Sequence, residues 1–280
     1  MSAVIKLSWR ATRGFWEIPV LFEDEHLLAL DKPADLPMSA EADAVIAPVA
    51  DDAEAVVVER PNLMKLLHAG IADKKPWAVE RNLDYLNNAY RLDGETSGVL
   101  LLAKTKPAHI ALADLFGCDK PQRKFLALVR GNVLDETFEV NARLAPHPLK
   151  NSLMRVDKDS GKAAKTKFTV LENFSRAGFL WMKCEPVTDR THQVRVHLSH
   201  VDLPIVGDEI YGGKKLWLSR LKSDYRLKPG REERPLLARV ALHAEEISLP
   251  HPITGETLTI TAPLPKDLKV ALKYLRQLAA

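Results

Sequence analysis

Short apolar segments separated by turn residues recur along the chain, and most have the composition of strands. Two apolar runs around the acidic turn at 23–25 predict a β-hairpin that ends at Pro33. Further strands are predicted at 99–103, 125–130, 167–171, 179–184, 238–249 and 257–261. Apolar residues at helical spacing predict helices at 62–70, 106–116 and 266–278.

This order of elements indicates a fold class. The predicted strands outnumber the helices and do not alternate regularly with them, which argues against a doubly wound parallel sheet. We expect an α+β fold with a mostly antiparallel mixed sheet and flanking helices. No Pro-, Gly- or Ser-rich linker divides the chain. The sequence therefore predicts one domain over 20–280, with an N-terminal extension over 1–19 and a possible acidic, alanine-rich insertion around 40–60.

Length and composition exclude several classes of protein. The 280 residues, 46% of them hydrophobic, suffice for a substantial core and argue against intrinsic disorder. The longest apolar runs are far shorter than the ~18 residues of a membrane span, and the first residues lack the apolar segment of a secretory signal. Two distant cysteines exclude a disulfide framework. We expect a cytoplasmic protein.

The net charge of +3 hides a split along the chain. Residues 1–90 hold 9 Lys and Arg against 15 Asp and Glu, a net charge of −6, whereas residues 91–280 hold 31 against 22, a net charge of +9. The positive charge is concentrated at 143–167, with seven Lys or Arg against two Asp, and at 214–239, with nine against three acidic residues. These segments could bind a polyanion. They could equally be solvated loops with ordinary surface lysines.

Several familiar site motifs fail on spacing. His192 and His197 are separated by about 140° around a helix, so they cannot share a metal as an i, i+4 pair does. Gly207 and Gly212 have the spacing of the two glycines in a phosphate-binding loop, but Gly213 stands where the lysine of that motif should be. No GxSxG motif occurs. These patterns argue against a zinc helix, a nucleoside triphosphatase and a serine hydrolase of that type.

One carboxylate lies in a setting that suits chemistry. Asp93 belongs to YRLDGETSG at 90–98, whose glycines and small hydroxyl residues predict a tight loop leading into the strand at 99–103. A carboxylate at the rim of a sheet could take part in catalysis. Alternatively, Asp93 and Gly94 form a simple turn in which the aspartate bonds its own backbone.

A second polar segment could supply a partner for this carboxylate. In TDRTHQVRVHL at 188–198, polar residues typical of a helix start precede apolar residues at helical spacing. Its polar face offers Arg190, Gln193 and Arg195. A guanidinium beside Asp93 would keep the carboxylate ionised and oriented. The alternative is a structural salt bridge or a surface arginine.

These segments resemble the RNA pseudouridine synthases, the large family that modifies uridines in ribosomal and transfer RNA. RLDGETSGVLLLAK at 91–104 is similar to the signature around the family's catalytic aspartate, and TDRTHQVRVHLSHVDLPIVGDEIYG at 188–212 resembles a later motif. Weaker similarities occur at 20–37, 123–131 and 242–256. The five matches follow the family's order and cover most of the chain.

The resemblance implies an isomerase with a central RNA-binding cleft. Such an enzyme flips a uridine out of RNA, breaks its N-glycosidic bond, rotates the uracil and rejoins it through carbon 5. By resemblance Asp93 is the catalytic carboxylate, and we choose Arg195 as its ionic partner. The implied substrate-binding residues are Phe125, Arg91, Arg190, His192, Gln193 and Val194. We expect RNA as the partner, no cofactor, no metal, no membrane association and a monomer.

Two positions depart from the family's pattern. Phe125 stands where tyrosine is usual, so its ring can stack on uracil but lacks a hydroxyl that could help to move the proton from carbon 5. Asp189 stands where glycine is usual, and it could cap the helix or bring a second negative charge near Asp93. The sequence therefore leaves reduced or altered activity open.

Two other functions compete with an RNA pseudouridine synthase. An RNA-binding or ribosome-assembly factor on the same fold, with weak or lost catalysis, is conceivable because of Phe125, but the retention of Asp93 and Arg195 argues against it. A glycoside hydrolase with Asp93 and Glu95 is a weaker interpretation, because two residues in one tight loop rarely flank a sugar from opposite faces.

Overall fold

The computed structural model describes residues 3–9, 14–34, 36–38, 45–46, 57–58, 61–118, 120–150, 153–222, 224–227 and 230–279. The acidic insertion predicted around 40–60 lies outside the described residues, apart from the backbone of two short strands at 45–46 and 57–58.

The described part of the chain contains many strands and a smaller number of helices, in irregular order. The strands are β1 (Val4–Trp9), β2 (Gly14–Glu23), β3 (Leu27–Lys32), β4 (Val45–Ile46), β5 (Val57–Val58), β6 (Asn87–Asn88), β7 (Ser97–Ala103), β8 (Gln122–Arg130), β9 (Thr137–Asn141), β10 (Leu144–Pro146), β11 (Met154–Val156), β12 (Lys165–Phe174), β13 (Phe179–Pro186), β14 (Leu242–Pro250) and β15 (Thr257–Thr261). The helices are α1 (Leu63–Ala72), α2 (Pro76–Val79), α3 (Lys106–Gly117), α4 (Gln193–His200), α5 (Leu218–Leu221) and α6 (Lys266–Leu278). A short 3-10 turn covers Glu209–Tyr211. Among the described residues, no helix combines the length and apolarity needed to cross a membrane.

Most strands join one mixed sheet with the order β1-β2-β3-β7-β14-β8-β13-β12-β9. Neighbours along this order are antiparallel, except for the parallel pair β7 and β14 at the centre. In addition, β15 pairs with β14 and β6 with β7, while β4-β5 and β10-β11 form separate hairpins. The predicted α+β class with a mostly antiparallel mixed sheet is confirmed.

The sheet supports two hydrophobic cores that meet at its centre. One core contains buried side chains of β1, β3, β7, α1 and α3, and the other contains those of β8, β12, β13, α4 and α6. Strand β14 contributes to both, with Leu242 in the second core and Ile247 in the first. Every residue of β7 is buried. The loops that precede β7 and β14 are therefore anchored where the two cores join.

Most of the predicted elements are present with small changes in their bounds. The hairpin before Pro33 is the pair β2-β3, and α1 begins after Asn62, whose side chain accepts a hydrogen bond from Lys65 N. The last long strand, β14, begins at Leu242 rather than at 238. Just before it, Ala241 N donates to the carbonyl of Val206 at 2.8 Å, and Arg239 donates to the carbonyls of Val240 and Leu242.

The described residues of the predicted extension share the first core. Ile5, Leu7 and Ile18 are buried there, because β1 pairs with β2 along its whole length. A boundary at residue 20 falls inside β2. The division into extension and catalytic domain stays a prediction.

Candidate active site

A cavity of about 420 Å³ lies between the loop before β7 and the loop before α4. All eight residues proposed from the sequence line it, namely Asp93, Arg195, Phe125, Arg91, Arg190, His192, Gln193 and Val194. They come from three parts of the chain that are distant in sequence: the loop before β7, strand β8, and the continuous segment that runs from the loop before α4 into α4. Their convergence on one cavity of this size is typical of a small-molecule or nucleotide site.

The loop that carries Asp93 is fixed by a buried lysine. Lys32, at the end of β3, is fully buried. Its ammonium donates hydrogen bonds to the carbonyls of Pro33 at 2.8 Å, Leu36 at 2.9 Å and Gly94 at 2.9 Å. A buried ammonium is stable only when its three donors are satisfied. The bond to Gly94 therefore ties the residue next to Asp93 to the sheet.

A buried tyrosine holds the other side of the same loop. The Tyr90 hydroxyl donates to the carbonyl of Val99 at 3.2 Å and accepts from Leu101 N at 3.1 Å. Its ring stacks on Phe116 with centroids 4.3 Å apart. Burial raises the pKa of Tyr90 to about 12. The phenol thus stays protonated and serves as an anchor between the loop and β7.

The Asp93 carboxylate is partly open to the cavity and faces two cationic or ionisable groups. Its side chain is 22% exposed. Oδ2 lies 3.3 Å from Nη1 of Arg195, and Oδ1 lies 3.9 Å from Nε2 of His192. The ionic partner predicted from the sequence therefore contacts the predicted carboxylate.

Arg195 is buried among three carboxylates. Its side chain is 1% exposed, and so is that of Asp208, which accepts hydrogen bonds from Nε at 2.7 Å and from Nη2 at 2.8 Å. Only Nη1 remains for Asp93 and for Glu95, each at 3.3 Å. Burial by itself lowers the pKa of Arg195, but the hydrogen bonds and charge of Asp208, with the charges of Asp93 and Glu95, raise it above its ordinary value. The guanidinium is thus a permanent positive charge with a fixed orientation.

The start of α4 differs from the sequence-based expectation. The helix begins at Gln193, and its N-cap is His192 in the left-handed region, with φ of 54° and no side-chain capping bond. Asp189 is paired with Nη1 of Arg123 at 2.9 Å, and it does not cap the helix. A non-glycine residue with positive φ is uncommon, and such strain is found most often at functional sites.

Gln193 and Val194 line the cavity but are themselves buried. The Gln193 amide nitrogen donates to the carbonyl of Lys165 and to the hydroxyl of Thr166, both at 3.0 Å, and its oxygen accepts from Thr188 at 2.8 Å. These bonds join the start of α4 to β12. The substrate-binding role predicted for the two residues stays a prediction.

The cavity wall carries polar atoms that have no hydrogen-bond partner among the described residues. These atoms are Nε of Arg123, Nε of Arg190 and Oγ1 of Thr96. Arg91 also lines the cavity and is exposed. Unsatisfied buried donors are rare in proteins. This wall is therefore suited to a polar or anionic ligand.

Phe125 lies on β8, is 7% exposed and lines the cavity.

The hydroxyl of Tyr211 lies beside His192, 2.8 Å from its Nδ1, and accepts a hydrogen bond from Met154 N at 3.0 Å. Burial raises the pKa of Tyr211 to about 12. In the part of the chain that is described, no group of three or more His, Cys, Asp or Glu side chains could hold a metal ion.

Sequence reasoning missed four residues that build this site: Lys32, Arg123, Asp208 and Tyr211. Asp208 and Tyr211 lie within the later motif, at 188–212, but nothing in the local pattern shows that they reach back to α4. Lys32 follows an apolar run. A lysine at the end of a buried strand could have indicated a buried ammonium with a structural role.

Comparison with known proteins identifies the family of the chain. A family model described as RNA pseudouridylate synthase matches residues 26–200. The chain is 34% identical over 263 residues to ribosomal large subunit pseudouridine synthase D of Xanthomonas campestris, covering 92% of this chain and 69% of that protein. It is 32% identical to ribosomal large subunit pseudouridine synthase C of Escherichia coli, covering 92% of this chain and 70% of that protein.

Solved structures show the same fold. Human RNA Pseudouridylate Synthase Domain Containing 4 superposes with a TM-score of 0.63 at 22% identity, covering 92% of each chain. Human RNA Pseudouridylate Synthase Domain Containing 1 superposes with a TM-score of 0.60 at 22% identity, covering 92% of this chain and 94% of the other. The sequence matches confirm the predicted isomerase, and this chain belongs to the RNA pseudouridylate synthase family.

Proposed function

We propose that this protein converts uridines of large-subunit ribosomal RNA to pseudouridine, with Asp93 as the catalytic carboxylate and Arg195 as its charge partner. The observation that carries the proposal is the Asp93 carboxylate, partly open to a cavity and 3.3 Å from a buried guanidinium. Relatives at 33–34% identity that are named for the large ribosomal subunit support the choice of RNA.

In this mechanism Asp93 acts at carbon 1 of the ribose. A carboxylate can add there as a nucleophile or stabilise the positive charge that develops when the glycosidic bond breaks. Arg195 orients the Asp93 carboxylate through the contact at 3.3 Å. Asp208 holds Arg195 through two hydrogen bonds, at 2.7 and 2.8 Å, so that Nη1 is the guanidinium nitrogen directed at Asp93.

The rest of the cavity would receive the flipped base and its flanking phosphates. Removing a base from its stack costs a few kcal/mol, and stacking on the ring of Phe125 offsets part of this cost. Arg91 and Arg190 provide positive charge for the RNA backbone, and the unpartnered Nε atoms of Arg190 and Arg123 offer donors. His192, Gln193 and Val194 complete the wall.

We further propose that the protein acts as a monomer in the cytoplasm. Ribosomal RNA is accessible to such an enzyme in the cytoplasm.

The direct test is Asp93→Asn in purified protein acting on an unmodified large-subunit ribosomal RNA transcript. We expect pseudouridine formation to be abolished and RNA affinity to change little, because the substitution removes a charge and a nucleophile but little volume. Asp114→Asn, on the exposed side of α3, is the matched control and should leave turnover unchanged. Substantial turnover by the Asp93→Asn enzyme would contradict the assignment.

A second measurement separates catalysis from binding alone. Pseudouridines mapped in RNA from cells with and without the gene should differ at specific uridines of the large-subunit RNA, and no free uracil should be released. RNA binding by the wild-type protein without any pseudouridine formation would favour the competing interpretation of a binding or assembly factor.

A further inference from the structure

Isomerisation of uridine requires a proton carrier in addition to a carboxylate. Once carbon 5 of uracil has bonded to carbon 1 of the ribose, the hydrogen on carbon 5 must leave as a proton. The electron pair of the broken carbon–hydrogen bond restores the ring double bond. Nitrogen 1, which has been released from the sugar, gains a proton. One proton thus moves from carbon 5 to nitrogen 1, with no oxidant and no net proton. A group in the cavity that accepts and then returns this proton completes the balance.

Few side chains of the cavity can do this. Among the described residues that line it, the ionisable ones are Tyr90, Arg91, Asp93, Arg123, Asp189, Arg190, His192 and Arg195. Guanidinium groups do not give up their proton in proteins. The Tyr90 hydroxyl is bonded to the backbone of β7 on both its donor and acceptor sides. The carboxylate of Asp189 is engaged in an ion pair with Nη1 of Arg123, at 2.9 Å. Asp93 acts at the sugar, and Phe125 has no group that ionises.

His192 remains, and its position fits the task. Its imidazole lines the cavity with 14% of the side chain exposed, and Nε2 lies 3.9 Å from Oδ1 of Asp93. A base attached to the ribose carbon at which Asp93 acts would therefore come within reach of Nε2. An imidazole is also the side chain that most often takes up and returns a proton near neutral pH.

The ring of His192 is oriented by two independent features. Nδ1 lies 2.8 Å from the hydroxyl oxygen of Tyr211. The two rings pack edge to face, with their centroids 5.7 Å apart. The backbone is held at φ of 54°, a conformation that costs free energy and persists only where the surroundings impose it. The Tyr211 hydroxyl accepts a hydrogen bond from Met154 N and can either donate to Nδ1 or accept from it; in the tautomer in which Nδ1 donates, Nε2 is the acceptor.

We infer that His192 is the proton carrier of the reaction, taking the proton from carbon 5 of the re-attached uracil on Nε2 and returning it to nitrogen 1. Tyr211 is a positioning residue that holds the direction of the imidazole through the contact of its hydroxyl with Nδ1. Because this role rests on the proposed function, its test measures single-turnover conversion of uridine in a large-subunit ribosomal RNA transcript.

The main variant is His192→Asn, because asparagine tolerates the left-handed backbone better than most residues. We expect turnover to fall by ~10²-fold or more, the usual contribution of general acid–base catalysis, while RNA affinity stays within ~3-fold of wild type. His200→Asn, at the exposed end of the same helix, is the matched control and should be unaffected. Tyr211→Phe, which removes only the hydroxyl, should lower turnover by about 10-fold.

A deuterium substitution at carbon 5 of uridine separates proton transfer from a structural role. With His192→Asn, removal of this hydrogen becomes the slow step, so deuterated RNA should react more slowly than ordinary RNA, and by a larger factor than with wild-type enzyme. A variant that loses turnover without a larger isotope effect would assign His192 to folding or positioning and overturn the inference. The same applies if His192→Asn turns over within ~3-fold of wild type.

Failure of the proposed function has a different signature. Wild-type enzyme that forms no pseudouridine in the transcript would contradict the choice of substrate, together with the role of His192 in that reaction. Normal wild-type turnover with an unaffected His192→Asn variant would contradict the role of His192 alone.

Discussion

At the scale of single residues, one guanidinium organises the charges of the site. Three carboxylates surround Arg195, and Asp208 occupies two of its nitrogens while Asp93 and Glu95 share the third. A buried ion pair contributes little net stability but is costly to break, because an uncompensated charge remains inside. The pairing therefore fixes the direction of Nη1 more than it stabilises the fold.

Asp208→Asn is expected to reduce both turnover and stability. The amide can accept one hydrogen bond but no longer balances the charge, so the guanidinium should move toward Asp93 and Glu95. We expect a loss of about 1–3 kcal/mol in the free energy of unfolding and a fall in turnover of ~10-fold or more. Urea unfolding and single-turnover assays measure the two effects.

Glu95→Gln is the control, because that side chain is 40% exposed and makes a single contact with Arg195 at 3.3 Å. Its unfolding free energy should change by less than ~1 kcal/mol. Wild-type turnover in Asp208→Asn would show that Arg195 does not need this partner.

Phe125 tests whether its ring acts by stacking alone. If it stacks on the flipped uracil, Phe125→Tyr should change turnover by less than ~3-fold, whereas Phe125→Ala should lose ~10-fold or more, since base stacking is worth ~1–3 kcal/mol. Single-turnover rates on the same RNA provide the comparison. A large gain in Phe125→Tyr over a barely active parent would instead show that the missing hydroxyl limits the natural enzyme.

At the scale of elements, local patterns predicted many of the strands and helices, but they missed the strands β1, β6, β9, β10 and β11 and did not show how the strands pair. Strand β7 and helices α3 and α6 lie within one or two residues of their predicted bounds, because apolar periodicity and terminal glycines act locally. The parallel contact of β7 with β14 joins residues about 145 positions apart, such as Ser97 and His243. No local pattern encodes such a contact.

The same distinction separates the site residues that were predicted from those that were missed. Asp93 and Arg195 stand in segments with unusual composition, so the sequence could indicate them. Asp208 and Lys32 act through partners elsewhere in the chain, and their local surroundings are ordinary. The left-handed start of α4 at His192 was missed because Thr188 and Asp189 offered a conventional helix start.

Gly98 is an element-scale position at which a substitution should be strongly destabilising. Its φ is 115°, and a Cβ built there would lie 2.1 Å from the carbonyl oxygen of Ala244 in the neighbouring strand. Gly98→Ala should therefore separate β7 from β14 and cost more than ~3 kcal/mol of unfolding free energy. Thermal and urea unfolding of the purified variant measure the loss.

Gly117 provides a matched control for this substitution. It ends α3, its φ lies outside the left-handed region, and a Cβ there would meet nothing within 4 Å. Gly117→Ala should be neutral or stabilise the protein by up to ~1 kcal/mol. Equal stability of the two variants would contradict the close packing of β7 on β14.

At the scale of the whole molecule, the fold brings the two basic segments beside the site. The hairpin β10-β11, inside the segment 143–167, packs on Val196 of α4 through Leu144, and Met154 N donates to Tyr211. The segment 214–239 follows directly after the turn that carries Tyr211. We expect RNA that enters the cavity to contact both segments, a prediction that the salt dependence of binding can test.

The structure divides the lysines of these segments into paired and unpaired groups. Glu139 lies 2.7 Å from Lys165 and 3.7 Å from Lys167, and these lysines lower the pKa of its carboxyl. Lys162 and Lys214 are exposed and form no ion pair with the described residues. The unpaired lysines are thus better placed to neutralise RNA phosphates.

The salt dependence of RNA affinity tests this division. Each phosphate contact on single-stranded RNA contributes roughly −0.7 to the log–log slope, so Lys162→Gln with Lys214→Gln should make the slope about 1.4 less negative if both contact phosphates. The pair Lys165→Gln with Lys167→Gln should change the slope less, because Glu139 already offsets part of that charge. Turnover of bound RNA should stay within ~2-fold of wild type in both, since neither pair lines the cavity. An unchanged slope after loss of Lys162 and Lys214 would mean that these lysines are solvated surface and that the asymmetry of charge along the chain does not guide RNA to the site.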